Sequence, residues 1–189
     1  MSSVVATPVS AGDWDLLTMP EGYRAEVVRG ELVVTPGASV DHGRAQNRLA
    51  VVLAAVVPAG FESVSGVEWR LDAGRVVAMA PQPDLMVVPR SARGTAITSP
   101  PLLAVEILSP SDGHLLSAGM TRREGKLLDY AANGLVDFLE LDLTVPVPVA
   151  TRYELRDGAL VAVDTVAGPA VLRAARPFAY AFSPQSLVD

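Results

Sequence analysis

The chain contains no cysteine, which excludes a disulfide framework and a thiolate zinc site and is compatible with the reducing cytoplasm expected as its location. Histidine is nearly as scarce. His42 and His114 are the only two, too few for a histidine-rich metal centre. Gly-x-Ser-x-Gly, the elbow of many serine hydrolases, does not occur. Neither does a Gly-x-Gly-x-x-Gly or Walker-type loop of the kind that cradles phosphates. No apolar run approaches the roughly 20 residues that cross a bilayer, and Met1–Ser10 lacks the basic start of a secretory leader. A soluble protein with no membrane contact is expected. Positive charge is also short: 15 Lys and Arg against 21 acids leave −6 at pH 7. That balance argues against a general polyanion binder, because phosphate contacts supply most non-specific affinity for nucleic acid.

What the chain does have is apolar mass. With 189 residues and 50% hydrophobic content it can bury a real core, and one domain over 1–189 is expected. Within that mass, Glu106 interrupts the run Leu102-Leu103-Ala104-Val105-Glu106-Ile107-Leu108. A buried carboxylate costs several kcal/mol unless it is paired, metal-bound or protonated, so Glu106 needs a partner. Asp84 opens a second strand-like run, Pro83-Asp84-Leu85-Met86-Val87-Val88. If the two strands are neighbours, the two acids converge on a hard divalent cation, magnesium or manganese; without one they repel and one keeps its proton. Lys126, the only lysine, lies on a helix-like segment downstream. The alternative for Asp84 is a turn-capping role, for Glu106 a buried arginine partner, and for Lys126 a solvated helix position. Arg44 with Arg48, Arg90 with Arg93, and Arg122 with Arg123 are local basic pairs that can offset acids near a cleft; solvated surface arginines are an equally good reading of each.

Local signals give the organisation. Ser10–Leu17 reads as a short helix with Ser10 as N-cap, Asp13 at the third position and Pro20 beyond its end. Arg24–Val28 and Glu31–Val34 flank Arg29-Gly30 as a hairpin. From Ser39 to about Val57, Leu49, Val52, Leu53 and Val56 recur at helical spacing. Residues Phe61–Leu71 and Arg75–Met79 suggest a second hairpin across Asp72-Ala73-Gly74, leading to the Asp84 and Glu106 strands. Thr121-Arg122-Arg123-Glu124 is a capping-box pattern that starts a helix, with Lys126 in its first two turns, Tyr130 one turn on along the same face, and Asn133-Gly134 as a left-handed stop. Val136–Leu143 reads as a strand and Tyr153–Leu160 as a third hairpin turning at Asp157-Gly158. Glu26 before Gly30 and Glu154 before Gly158 echo one another through shared turn chemistry. The sum is an α/β chain with a mixed central sheet flanked by helices and added hairpins.

The order Arg24-Ala25-Glu26-Val27-Val28-Arg29-Gly30-Glu31-Leu32, then His42, Pro83-Asp84-Leu85, Val105-Glu106-Ile107-Leu108-Ser109-Pro110-Ser111, and Lys126 with Tyr130 and Gly134 resembles the bacterial Uma-type restriction endonuclease family of the PD-(D/E)XK nuclease superfamily. The likeness runs from about Trp14 to Asp142. It implies a restriction-endonuclease-like core over about 14–142 with a C-terminal β extension over about 143–189. It further implies that Asp84, Glu106 and the carbonyl of Ile107 hold Mg2+ or Mn2+, that Lys126 is catalytic although Leu108 stands at the usual lysine place, and that Glu26 assists metal or water positioning. His42 matches a family position without an assigned role. The departures are a longer stretch between Ser111 and Lys126, Arg122 one turn before the lysine where relatives carry aspartate, and Phe138-Leu139 after the helix. The implied activity is metal-dependent hydrolysis of phosphodiester bonds in nucleic acid, with DNA the expected substrate and a homodimer compatible with it. The competing reading is a non-catalytic interaction or regulatory domain on the same fold.

Overall fold

The protein is described from a computed structural model over residues 8–189; the stretch read above for a leader lies mostly outside them. Ser10 caps helix α1 (Ala11–Leu16) by accepting the Asp13 N–H at 3.0 Å. Strands β1 (Tyr23–Val28) and β2 (Glu31–Pro36) then form the first hairpin. Its turn sets Arg29 at φ 55° and Gly30 at φ 76°, the pair of left-handed residues that matches the strand twist in a two-residue turn. Asp129 accepts the Arg29 N–H at 2.7 Å and its guanidinium at 3.1 Å. Helix α2 (Val40–Ala54) is capped by Ser39 and buries His42, Ala45, Leu49 and Leu53, one stripe at helical spacing. Val56, expected on that stripe, falls beyond the helix end and is exposed.

The following segment departs from the sequence reading. Phe61 to Met79 is not one hairpin but four strands, β3 (Phe61–Val64), β4 (Glu68–Trp69), β5 (Leu71–Ala73) and β6 (Val76–Met79). Only β5 and β6 pair with each other. β3 pairs antiparallel with β7 (Leu85–Pro89), and β4 pairs parallel with β8 (Ala96–Ile97). The reason is burial: Phe61 packs against one core cluster and Trp69 sits in another, so the segment has to divide.

Strand β9 (Leu103–Leu108), helix α3 (Arg122–Ala132) and strand β10 (Asp137–Asp142) make a β–α–β crossover, and β9 and β10 are the parallel pair of the main sheet. β11 (Val149–Arg156) and β12 (Ala159–Ala167) extend it, turning at Asp157-Gly158 with φ 49° and 80°. The order is β12-β11-β10-β9-β7-β3. A last hairpin, β13 (Leu172–Ala174) and β14 (Tyr180–Phe182), packs with α2. The mixed α/β sheet flanked by helices, with extra hairpins, is the architecture expected.

Strand alternation sorts the side chains onto two faces. Leu103, Val105 and Ile107 of β9 join Leu49 and Leu53 in the cluster on the α2 side. Ala104 joins Trp69, Tyr130 and Phe138 on the α3 side, and Glu106, two residues along, shares that face. Helix α3 approaches closely because Gly125 faces β1. A Cβ built at Gly125 meets Leu116 Cδ1 at 2.7 Å and Val28 Cγ1 at 2.9 Å. Gly125→Ala is therefore expected to destabilise the fold by about 1 kcal/mol net, an overpacking cost of about 1–3 kcal/mol outweighing about 1 kcal/mol of gained helix propensity. A urea midpoint at or above that of the native protein would refute this.

Candidate active site

β1 carries Glu26, wholly buried, into a cluster of ionised groups. Its Oε1 accepts the Gln82 N–H at 2.7 Å and lies 3.0 Å from Lys126 Nζ, and its Oε2 accepts from Arg122 Nη2. Arg122, also wholly buried, reaches on to Asp112 Oδ1 at 2.7 Å. Asp112 in turn accepts the Ser109 N–H at 2.8 Å through Oδ2 and so fixes the short 3-10 turn Pro110–Gly113.

Asp84 immediately precedes β7. The register Leu85↔Val105 puts Asp84 and Glu106 next in line on adjacent antiparallel strands. Asp84 Oδ2 accepts the Ile107 N–H at 2.7 Å, and Oδ1 lies 2.8 Å from His42 Nε2 and 3.6 Å from Arg24 Nη1. Glu106 Oε1 accepts from Lys126 Nζ at 2.8 Å and from the Tyr130 hydroxyl; Oε2 has no hydrogen bond or ion pair among the described residues. Lys126 thus bridges Glu26 and Glu106. It reaches them because Arg122, Lys126 and Tyr130 recur every fourth residue along α3 and share one face.

These surroundings pull the carboxyls apart. Burial alone would raise Glu26, but Lys126, Arg122, Arg24 and the Gln82 N–H bring it down to about 2. Asp84 is lowered too: burial is overcome by His42, the Ile107 N–H and Arg24. Glu106 goes the other way, up to about 7, because burial and the charges of Asp84, Glu26 and Asp112 outweigh Lys126. Lys126 is raised, its burial being more than offset by Glu106 and Glu26. Carboxyl pKa values driven apart within one cluster are an arrangement that acid–base sites share with structural ion-pair networks.

Glu26, Lys126 and Glu106 come into one network, and Asp84 stands beside it, tied through the Ile107 N–H to the main chain next to Glu106. The longer stretch after Ser111 does not carry Lys126 away, since it is taken up by the Pro110–Gly113 turn and a bridge of Leu115 to Thr121. The surface reading fails for Arg122, which is the centre of the cluster, and holds for Arg44, paired with exposed Asp41. Asp112 and Arg24 are further members of the cluster. The Arg122–Lys126 spacing was a usable signal for Arg122; nothing local marks Asp112 or Arg24.

Among the described residues no three of His, Asp and Glu converge as a ready metal site; Lys126 and Arg122 stand between the acids. The donor chemistry nonetheless suits a hard cation, with two carboxylates on adjacent strands and Glu106 Oε2 uncommitted. A cavity of 730 Å3 is lined by Arg29, Met79, Asn133 and neighbours and by none of the four site residues. A cleft of 530 Å3 opens instead on the His42 and Arg24 side of Asp84.

The sequence pattern of the family described as "Putative restriction endonuclease" (Uma2) matches residues 13–144. The crystal structure of a putative nuclease of DUF820 from Anabaena variabilis superposes with a TM-score of 0.67 at 18% identity, over 96% of this chain and 98% of that one. No curated protein matches the chain. No helix among the described residues is long and apolar enough to cross a membrane.

Proposed function

Because the chain belongs to the Uma2 family, described as "Putative restriction endonuclease", we propose that it is a metal-dependent nuclease that hydrolyses phosphodiester bonds, with DNA as substrate. The observation that carries this is the placement of Lys126 Nζ between Glu26 at 3.0 Å and Glu106 at 2.8 Å, beside an Asp84 locked to the main chain of Ile107. Asp84 and Glu106, with the Ile107 carbonyl, are the groups that would hold Mg2+ or Mn2+. Bound there, the ion would lower the pKa of a water and offset phosphate charge. Lys126 orients the nucleophile and stabilises the charge that builds on the phosphoryl oxygens. Glu26 holds Lys126 in place and keeps it protonated. His42 and the Ile107 N–H fix the Asp84 carboxylate plane. A homodimer would present two such sites to two strands.

The test is cleavage of supercoiled and linear DNA in manganese. Asp84→Asn and Lys126→Met are expected to lose about 10²-fold or more of the native rate, with melting temperatures tracked in parallel. Native protein that cuts neither DNA nor RNA would end this reading. The second reading, an interaction domain on a nuclease fold, draws on Arg122, which neutralises Glu26 and Asp112 within the protein. Manganese calorimetry separates the two: heat lost in both Asp84→Asn and Glu106→Gln favours the enzyme, and no heat favours the interaction domain.

A further inference from the structure

The 530 Å3 cleft beside Asp84 is lined by Arg24, Ser39, His42, Ser109, Ser111 and His114. Both histidines of the chain are there. The one carboxylate in its wall, Asp41, is turned to Arg44 at 2.7 Å. In a protein of net charge −6, the polar part of this wall is Arg24 with neutral hydrogen-bonding groups, set among apolar Pro36, Leu108, Pro110 and Leu143.

Arg24 is the unusual member. Its side chain is only 23% exposed, and its Nε is buried with no partner. Its closest acid among the described residues, Asp84 Oδ1, lies at 3.6 Å, beyond hydrogen-bond range. Arg122 and Arg123, by contrast, donate to carboxylates at hydrogen-bond distance. A guanidinium carries five N–H donors in a planar fork whose natural complement is a carboxylate or phosphate. Held at the edge of a cleft with its fork unfilled, Arg24 presents an oxyanion site one side-chain contact from Asp84.

Resting on the nuclease reading, we propose that this cleft receives a phosphate group of the nucleic-acid strand and that Arg24 is the residue that grips it. Arg24 is then a substrate-binding residue that sets the strand against Asp84 and Glu106. A single grip of this kind suits one strand laid in a narrow cleft and needs no broadly basic surface.

The test is binding without chemistry. In EDTA, the anisotropy of a short fluorescein-labelled single-stranded oligodeoxythymidylate is followed against native protein, Arg24→Met, Arg24→Lys and, as a surface control, Arg93→Met. Arg24→Met is expected to weaken binding about tenfold or more and to flatten the plot of log K against log salt by about 0.7, one phosphate contact on a single strand. Arg24→Lys, which keeps the charge but loses the fork, falls between. Arg93→Met binds like the native protein. The two imidazole signals, His42 and His114, give a second readout in 15N NMR of the native protein, and both are expected to move as oligonucleotide or inorganic phosphate is added. That readout stands even if Arg24→Met fails to fold. Unchanged affinity and salt slope in Arg24→Met would overturn the proposal, as would imidazole signals indifferent to saturating oligonucleotide or no binding at all. Binding through Arg24 without cleavage in manganese would retire the nuclease reading and leave the cleft. Undiminished cleavage by Arg24→Met would retire the cleft and leave the nuclease reading.

Discussion

Arg122→Ala is expected to lower unfolding stability by about 3–5 kcal/mol, the range for removing one partner of a buried ion pair. Arg122 is wholly buried and serves two acids, Glu26 and Asp112. Without it Glu26 keeps only Lys126 and the Gln82 N–H, and Asp112 keeps only the Ser109 contacts it makes through its other oxygen. At roughly 2–4 °C per kcal/mol for a chain of this size, the melting point should drop by roughly 10 °C. The loss should shrink in acid. Glu26 is held at about 2 against an ordinary 4.5, so its contribution is fully present above 4.5 and disappears as pH falls toward 2. Urea unfolding at neutral pH and near pH 3 checks both statements. A neutral-pH loss below about 1 kcal/mol, the ceiling for exposed pairs, would mean that Arg122 is solvated after all.

Glu106→Gln should act in the opposite direction and make the protein more stable above pH 7. Glu106 is raised from 4.5 to about 7, so between those values the folded chain keeps a proton that the unfolded chain releases. Stability from this group is therefore complete below 4.5 and declines as pH rises through 7. At 1.36 kcal/mol for each pH unit, the interval from 4.5 to about 7 amounts to about 3 kcal/mol. Glutamine stays neutral, and its Oε1 can still accept from Lys126 and Tyr130 as the native Oε1 does. The variant is expected to melt higher than the native protein at pH 8, to match it near pH 4.5, and to lose cleavage. A lower melting point at pH 8 would show that Lys126 holds Glu106 ionised more strongly than burial opposes it. The proposed metal ligand would thus be kept at a cost to the fold, as is common at functional sites.

Much of this was legible from the chain. A lone acid in an apolar strand predicts a buried partner, and the two acids do fall on adjacent strands. The Thr121 and Glu124 capping box places α3 correctly, and with it Lys126 and Tyr130. The helix starting near Ser39 and the turns at Arg29-Gly30 and Asp157-Gly158 were equally clear, because periodicity and turns are decided by neighbouring residues. What failed was long-range. β3 pairs with β7 and β4 with β8, choices set by which core cluster each apolar residue joins rather than by nearness in sequence. Arg122 meets Glu26 across 96 positions, and Arg24 reaches Asp84 only once β1 is docked. A pairwise charge relation over such distances leaves no local trace.

The turn at Arg29 shows how placement and conformation can be traded. Arg29 takes φ 55°, a region that glycine or asparagine occupies at less strain. The Asp157 turn, with φ 49°, uses a residue better suited to it. What an arginine adds at position 29 is the guanidinium contact with Asp129, beside the main-chain N–H bond that any residue but proline could make there. The loop between two strands therefore acts as a latch. It fastens α3 three residues beyond Lys126, whose ammonium sits between Glu26 and Glu106. A surface turn is thereby tied to the helix that carries the buried lysine, and a residue without the guanidinium there would leave that tie to the main-chain N–H alone.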